Sequence, residues 1–291
     1  MRKQFSESCF QLLSENENAV VLLGDIGVHG FRNTFTEFPR RIFNLGIMEQ
    51  TMVGTAAGMA SVGCIPVVHT IAPFLVERAL EQIKVDFGYQ QLVGNFVSVG
   101  ASFDYAGLGC THHCPADIGI MRSIPGLNVF IPGTSQEFAY QFAQYWDGQS
   151  SNYFRLSERE NSSSFLIKLG ESVKIKDGNT ALAVVAGNLL DEVLEATKSL
   201  DIEIHYVNSI QTGKKLHLES AVRDKPIFLI EPYYSGALFQ YLEDYIQLNS
   251  LIPVQFGVPV EFIRDYGNYD SMLQNVLLDK NALHEKFLKY L

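Results

Sequence analysis

Residues 40–58, Arg-Arg-Ile-Phe-Asn-Leu-Gly-Ile-Met-Glu-Gln-Thr-Met-Val-Gly-Thr-Ala-Ala-Gly, decide the fold of this chain. They predict a short strand over 41–45, a turn at Gly46 and a helix over 48–62. The helix is almost free of charge, and small residues recur along it at three- and four-residue spacing (Gly54, Ala57, Gly58 and Ser61). Such a surface lets another backbone approach closely, so we expect this helix to be buried on more than one side.

Glu49 enters the first turn of this predicted helix. A carboxylate buried there is costly unless a partner pairs with it or it stays protonated. Buried carboxylates with perturbed pKa values are common at functional sites. A simpler alternative is a first-turn glutamate that only interacts favourably with the helix dipole. The residues alone leave both interpretations open, and Glu49 is the first candidate for a functional residue.

Composition narrows the classes of function. The chain has 291 residues, a formal net charge of −10 and a sequence pI of about 5.2. This acidic balance argues against nucleic acid or an anionic membrane as a partner. No apolar run approaches the ~20 residues of a membrane span, and no signal peptide is expected. Four scattered cysteines do not form a disulfide framework, so we expect a cytoplasmic protein with reduced thiols.

Strand-like and helix-like segments alternate along the whole chain, which predicts an α/β fold. The predicted strands cover 19–23, 41–45, 65–69, 95–99, 128–131, 153–156, 180–185, 203–207, 227–230 and 254–256. The predicted helices cover 48–62, 74–87, 116–122, 136–146, 191–200, 235–246 and 281–290. A serine-rich stretch over 158–164 and a turn at 176–179 interrupt the alternation. We therefore expect two three-layer α/β domains, over 1–165 and 178–291.

A second group of polar residues lies at Thr111, His112 and His113. Hydroxyl and imidazole groups can hydrogen-bond a polyol or move protons near pH 7. Cys110 and Cys114 flank these residues, which raises the alternative of a zinc site. A structural zinc site needs four ligands, usually from two separated pairs, and no second pair is present. We therefore expect no metal ligands in this chain.

At this point the chain resembles a known family. Residues 38–50, Phe-Pro-Arg-Arg-Ile-Phe-Asn-Leu-Gly-Ile-Met-Glu-Gln, resemble the FPDRF-x-x-GI-x-EQ segment of the pyrimidine-binding domain in transketolases and deoxyxylulose phosphate synthases. The segments 72–83, 111–125 and 153–156 match later parts of that domain in the same order. Ile230-Glu231-Pro232 with Gly236, and Val258-Pro259, resemble the transketolase C-terminal domain. This resemblance covers nearly the whole chain and implies a parallel-sheet domain followed by a smaller mixed-sheet domain.

The resemblance also implies thiamine-diphosphate chemistry. The glutamate that matches Glu49 hydrogen-bonds N1′ of the cofactor's aminopyrimidine and activates it, and Phe74 matches the aromatic residue that stacks on that ring. Ile47, Met48 and Ile71 match further cofactor-contacting positions. His112 matches a catalytic histidine that contacts the substrate's oxygens. His113, Arg155 and Arg159 match positions that bind the substrate or its phosphate, although surface arginines are often only solvated or ion-paired.

The family also has a preceding domain that binds the diphosphate and Mg²⁺ through Gly-Asp-Gly and a downstream Asn. Here Gly24-Asp25-Ile26-Gly27 is only a superficial match, and no Asn follows at the family's spacing. The resemblance therefore implies the C-terminal subunit of a split transketolase. A separate N-terminal subunit would carry Gly-Asp-Gly and most of the Mg²⁺ ligands. An α2β2 heterotetramer is expected, with the small-residue face of helix 48–62 at an interface.

Two departures from the family pattern concern the substrate. Leu108-Gly-Cys-Thr-His112 replaces the family's Asp-Gly-Pro-Thr-His, and Glu77 or Leu80 replaces an aromatic residue of the pocket. Both put the ordinary pentose phosphate acceptor in question and suggest an unusual sugar or sugar phosphate. Two other functions stay open. The chain could serve a synthase or a dehydrogenase E1 β-subunit that decarboxylates a 2-oxo acid, or it could be a non-catalytic regulatory partner of a thiamine enzyme.

Overall fold

Two β-sheets flanked by helices make up the computed structural model, which describes residues 1–216 and 218–291. The first sheet and its helices comprise α1 (Arg2–Glu15), β1 (Ala19–Leu23), α2 (Arg32–Glu37), β2 (Ile42–Asn44), α3 (Glu49–Ser61), β3 (Ile65–Ile71), α4 (Ala72–Val76), α5 (Leu80–Gln82), β4 (Asn95–Val99), α6 (Asp117–Met121), β5 (Asn128–Phe130), α7 (Ser135–Tyr145) and β6 (Asn152–Arg155). The rest comprises β7 (Val173–Lys176), β8 (Ala181–Ala186), α8 (Leu190–Ala196), β9 (Ile202–Val207), β10 (Ser209–Gln211), β11 (Pro226–Tyr234), α9 (Ala237–Leu248), β12 (Ile252–Val258), α10 (Tyr269–Asn275) and α11 (Lys280–Tyr290). This is the expected α/β fold.

The strand order of the first sheet is β10-β5-β6-β4-β3-β1-β2, and that of the second is β12-β11-β8-β9-β7. Six strands of the first sheet run parallel, and β10 closes its edge antiparallel to β5. In the second sheet β7 runs antiparallel to β9 while the other pairs are parallel. The second sheet is therefore mixed, as expected. The first sheet is not purely parallel, because β10, from the later part of the chain, pairs antiparallel with β5 at its edge.

Alternating side chains of the central strands build the three layers. Val20 and Leu22 of β1 pack with Met52 of α3 in one cluster. Val21 and Leu23 join Phe5 of α1 and Phe138 of α7 in the cluster on the opposite face of the sheet. Successive residues of a strand point to opposite faces, so helices on both sides bury them. The sheet is thereby held rigid beneath the loops that follow its strands.

Several elements differ from the sequence-based expectation. The sequence patterns do not predict the helix α1 or the short strands β7 and β10. The helix predicted over 74–87 is divided into α4, α5 and a π-helical segment, Ile83–Tyr89. The small-residue helix α3 buries one side against the sheet, while Gly58 faces open space. Within the described parts of the chain, no helix is long and apolar enough to cross a membrane.

Candidate active site

Three loops meet at the carboxyl ends of the parallel strands β2, β3 and β4. The turn after β2 leads to Glu49, the first residue of α3, and β3 leads directly into α4, which carries Phe74. The loop after β4 carries His112. Parallel sheets commonly bind ligands at this edge, because the carboxyl ends of all their strands meet there.

Glu49 is the buried acid of this site, with only 1 % of its surface exposed. Its Oε2 accepts a hydrogen bond of 2.7 Å from Nη1 of Arg78, whose side chain is 42 % exposed. The hydroxyl of Thr70 lies 3.5 Å from Oε1. A buried carboxylate needs such compensation, and a guanidinium supplies it more strongly than a neutral donor. The expectation that Glu49 has a partner is met by Arg78, which sequence reasoning did not identify.

The aromatic ring of Phe74 lies beside this ion pair. The guanidinium carbon of Arg78 stacks 4.2 Å from its ring centroid. The imidazole of His112 meets the same ring edge-on at 5.2 Å, and its Nδ1 lies 2.9 Å from the hydroxyl of Thr111. Of the predicted site residues, Glu49, Phe74 and His112 are therefore brought together, with Arg78 as their link.

Exposed apolar side chains lie close to these residues in the sequence. Ile47 and Met48, directly before Glu49, are 69 % and 53 % exposed, and Leu108 in the loop before His112 is 55 % exposed. Ile71 is half-buried at the start of α4. Exposed apolar residues grouped beside a polar cleft are typical of a surface that another molecule covers.

His113 lines a cavity of about 80 Å³ together with Glu77, Cys110 and Tyr234. Its ring packs edge-on against Phe103, and neither ring nitrogen has a hydrogen-bond partner among the described residues. Burial lowers the pKa of His113 and raises that of Glu77. The two adjacent histidines thus contact different aromatic rings, His112 that of Phe74 and His113 that of Phe103, and the substrate-binding role of His113 stays a prediction.

The two predicted phosphate-binding arginines lie at the junction of the two sheets. Arg155 is 2 % exposed; its Nε donates to Asp117 Oδ2 at 2.7 Å, and its Nη2 donates to Ser102 and to the carbonyl of Pro232. Arg159 pairs with Glu192 and Asp270. A buried guanidinium already bound to a carboxylate offers a phosphate little, so this geometry gives Arg155 a structural role, and the phosphate role of both arginines stays a prediction.

The Gly24–Gly27 segment likewise has a local structural role. The backbone N–H of Asp25 donates to Asn44 Oδ1 at 3.0 Å, and Asn44 Nδ2 donates to Asp25 Oδ1 at 2.9 Å. Among residues 1–216 and 218–291, no three His, Cys, Asp or Glu side chains are close enough together to hold a metal ion. Asn44 therefore engages the Asp25 carboxylate, and the Gly24–Gly27 segment stays only a superficial match to Gly-Asp-Gly.

This chain is similar to several known proteins over much or nearly all of its length. Residues 1–162 match the family model described as the transketolase pyrimidine-binding domain. A 33.6 kDa protein of the fasciation locus of Rhodococcoides fascians is 39 % identical over 96 % of this chain and 91 % of its own length. A subunit of the apulose-4-phosphate transketolase of Phocaeicola vulgatus is 25 % identical over 99 % of this chain and 96 % of its own. A solved chain described as a split-gene transketolase, inactive beta4 tetramer, superposes with a TM-score of 0.80 at 23 % identity over 99 % of this chain and 97 % of its own.

Proposed function

The chain belongs to the transketolase family through its pyrimidine-binding domain, and from this premise we propose that it is the C-terminal subunit of a two-chain, thiamine-diphosphate-dependent transketolase. Such an enzyme transfers a two-carbon ketol unit from a ketose to an aldose acceptor. The observation that carries the proposal is the convergence of buried Glu49, the face of Phe74 and the imidazole of His112 at one sheet edge. The near full-length similarity to a subunit of the apulose-4-phosphate transketolase supports it.

The residues present fit the pyrimidine half of the cofactor. A flat group is accommodated beside Phe74 and Glu49, since the planar guanidinium of Arg78 lies there. Glu49 would hydrogen-bond the ring nitrogen, Phe74 would stack on the ring, and Ile47, Met48 and Ile71 would enclose it. Bound thiamine diphosphate supplies the electron sink for cleavage of the bond beside a ketose carbonyl.

The chain's own residues then have distinct tasks. Glu49 can hold or release a proton at the pyrimidine nitrogen, because its carboxyl is shielded from water. His112, held at Nδ1 by Thr111, would direct its Nε2 to the oxygens of the sugar. Because the Gly24–Gly27 segment is only a superficial match to Gly-Asp-Gly, a partner subunit would supply the diphosphate and Mg²⁺ ligands. The exposed Ile47, Met48 and Leu108 would lie under that partner, in an α2β2 assembly.

The first experiment is affinity purification of the chain from its native lysate with thiamine diphosphate and Mg²⁺ present. Recovery of a chain that carries Gly-Asp-Gly and a downstream Asn supports the proposal. The purified complex is then assayed for ketol transfer over a panel of ketoses and aldoses, and for CO₂ release from 2-oxo acids. CO₂ release would favour a decarboxylating synthase or E1-type function instead.

Glu49→Gln in the same complex separates catalysis from assembly. We expect it to lower kcat by roughly 10²–10⁴-fold, while the complex elutes unchanged in size-exclusion chromatography. Glu81→Gln, on the exposed surface of α5, is the matched control and should leave kcat unchanged. A complex that assembles but lacks cofactor-dependent turnover in its wild-type form would support the regulatory alternative.

A further inference from the structure

We propose that Arg78, in the chain without cofactor, occupies the place of the aminopyrimidine ring, so that thiamine diphosphate must displace it to bind. The inference rests on the proposed function, because it takes Glu49 and Phe74 as the pyrimidine-binding residues. It assigns a task to a residue that is neither a metal ligand nor a proton carrier. The contacts of Arg78, its chemical shape and its position in the chain support this inference.

The hydrogen bond to Glu49 uses the edge of the carboxylate on which the cofactor would depend. Arg78 Nη1 lies 2.7 Å from Glu49 Oε2, while the Thr70 hydroxyl is at 3.5 Å from the other oxygen. With 1 % of Glu49 exposed, water cannot replace the guanidinium as its main partner. Arg78 therefore compensates a buried charge that would otherwise destabilise the empty site.

The stacking contact uses the ring face on which the cofactor would depend. A guanidinium is planar and delocalised, carries its N–H donors in the plane, and stacks on aromatic faces. The aminopyrimidine ring is also planar and carries its nitrogens in the plane. With the guanidinium carbon 4.2 Å from the Phe74 centroid, a second flat group cannot lie on the same face and reach the same oxygen. Occupation by Arg78 and by the cofactor is therefore mutually exclusive.

The position of Arg78 allows it to leave. It lies in the turn between α4, which ends at Val76, and α5, which begins at Leu80. Its side chain is 42 % exposed, so it can rotate into solvent without disturbing the sheet. A half-exposed ion pair is weak, so a flat ligand can displace it if it stacks on Phe74 and shares one proton with the Glu49 carboxyl through a ring nitrogen. A flat ligand without that nitrogen would leave Glu49 without a partner and should not bind.

Binding of thiamine diphosphate to the purified complex is measured by isothermal titration calorimetry with Mg²⁺ present. In Arg78→Met the side chain keeps its apolar stem but loses its N–H groups, and the apparent Kd should fall roughly threefold to tenfold. Arg41→Met is the matched control, since Arg41 stacks 4.8 Å from the Phe38 centroid and donates to the carbonyl of Asn16. Its Kd should equal that of the wild type.

An unchanged or higher Kd in Arg78→Met, with normal wild-type binding, would overturn this inference and leave the proposed function intact. Absence of binding in the wild type and in Arg41→Met would refute the proposed function, and the inference with it. If Arg78→Met does not fold, Arg78→Lys replaces it; its poorer stacking should give a smaller decrease in Kd.

A second measurement tests the pairing without cofactor or partner. Thermal unfolding of the chain is compared for Glu49→Gln, Arg78→Met and the double variant. Because Arg78 is half-exposed, its loss should cost about 1 kcal/mol and lower Tm by about 2–4 °C. The double variant should recover most of this loss, because the neutral amide needs no cation. Additive Tm changes would mean that the two side chains do not pair. They would refute the proposal that Arg78 occupies the place of the aminopyrimidine ring in the chain without cofactor.

Discussion

At the scale of single residues, a buried acid and a buried base are stabilised by different partners. Glu49 is buried with a cation beside it, whereas His69 is buried with a backbone carbonyl as its hydrogen-bond partner. The Nδ1 of His69 lies 2.8 Å from the carbonyl of Val97, so the neutral ring donates there. Burial lowers the pKa of His69 to about 4. His69 is therefore a satisfied core histidine within β3.

This lowered pKa predicts a pH dependence of stability. Between pH 6.5 and 4 the unfolded chain binds a proton at His69 that the folded chain does not, so acidification favours unfolding. The contribution amounts to roughly 3 kcal/mol across that window and is constant above pH 6.5. In His69→Phe the free energy of unfolding, measured in urea, should fall less steeply from pH 6.5 to 4 than in the wild type. Parallel pH profiles would show that His69 does not control this loss.

At the scale of elements, the start of helix α9 gives a structural reason for the motif residues Glu231 and Gly236. The two carboxylate oxygens of Glu231 accept hydrogen bonds of 2.7 Å from the backbone N–H groups of Gly236 and Leu238, at the start of α9. Gly236 has a φ of 118°, which side chains other than hydrogen rarely tolerate. Glu231 and Gly236 together therefore start the helix that covers one side of the second sheet.

Loss of this cap should destabilise the chain. Glu231→Ala leaves two buried N–H groups without acceptors and should lower the free energy of unfolding by about 1–3 kcal/mol. Urea denaturation followed by circular dichroism measures the change. Gln240→Ala, at an exposed position of the same helix, is the control and should alter stability by less than about 0.5 kcal/mol. Equal effects of the two substitutions would contradict the capping role.

The accuracy of sequence-based prediction also differs among elements. Central strands such as β1 and β4 have predicted bounds that match the structure, because buried β-branched runs are a strong local signal. The helix α1 has Phe5, Cys9 and Leu12 at helical spacing, yet its polar residues and uncapped start obscure the pattern. The strand β10 has three residues, too few for any periodicity. Its place is decided by pairing with the distant β5.

Within the site, local motifs predict residues but not their partners. Glu49, Phe74 and His112 can be named from such motifs, whereas the choice of Arg78 as the partner of Glu49 depends on how two loops meet in space. Similarly, Arg155 lies at the carboxyl end of β6, where a phosphate ligand would be expected. Its burial against Asp117 is a consequence of packing between α6 and β6 that no local pattern encodes.

At the scale of the whole molecule, Arg155 joins the two sheets. It connects β6 to Asp117 of α6, to Ser102 and to the carbonyl of Pro232 in β11, and Asp117 also accepts from the hydroxyl of Tyr153 at 3.0 Å. These groups are buried, so their contacts are mutually dependent. The network fixes the orientation of the second sheet relative to the loop that carries His112.

Arg155→Met should therefore lower the free energy of unfolding by roughly 3–5 kcal/mol, because Asp117 would remain buried without a cation. Arg159→Met serves as the comparison. Its carboxylate partners are partly exposed, and a loss of about 0–1 kcal/mol is expected. Urea denaturation checks both variants. A stable Arg155→Met variant with a raised KM for phosphorylated sugars would instead support the phosphate-binding role.

The strand β10 also has a consequence for biosynthesis. It closes the outer edge of β5, but the ribosome makes it only after β7, β8 and β9. Throughout that interval the nascent chain exposes unpaired N–H and C=O groups along β5, and open strand edges readily recruit other chains. This interval is the stage of synthesis at which we expect chaperones to engage the polypeptide. Their release should coincide with the emergence of residues 209–211 from the exit tunnel.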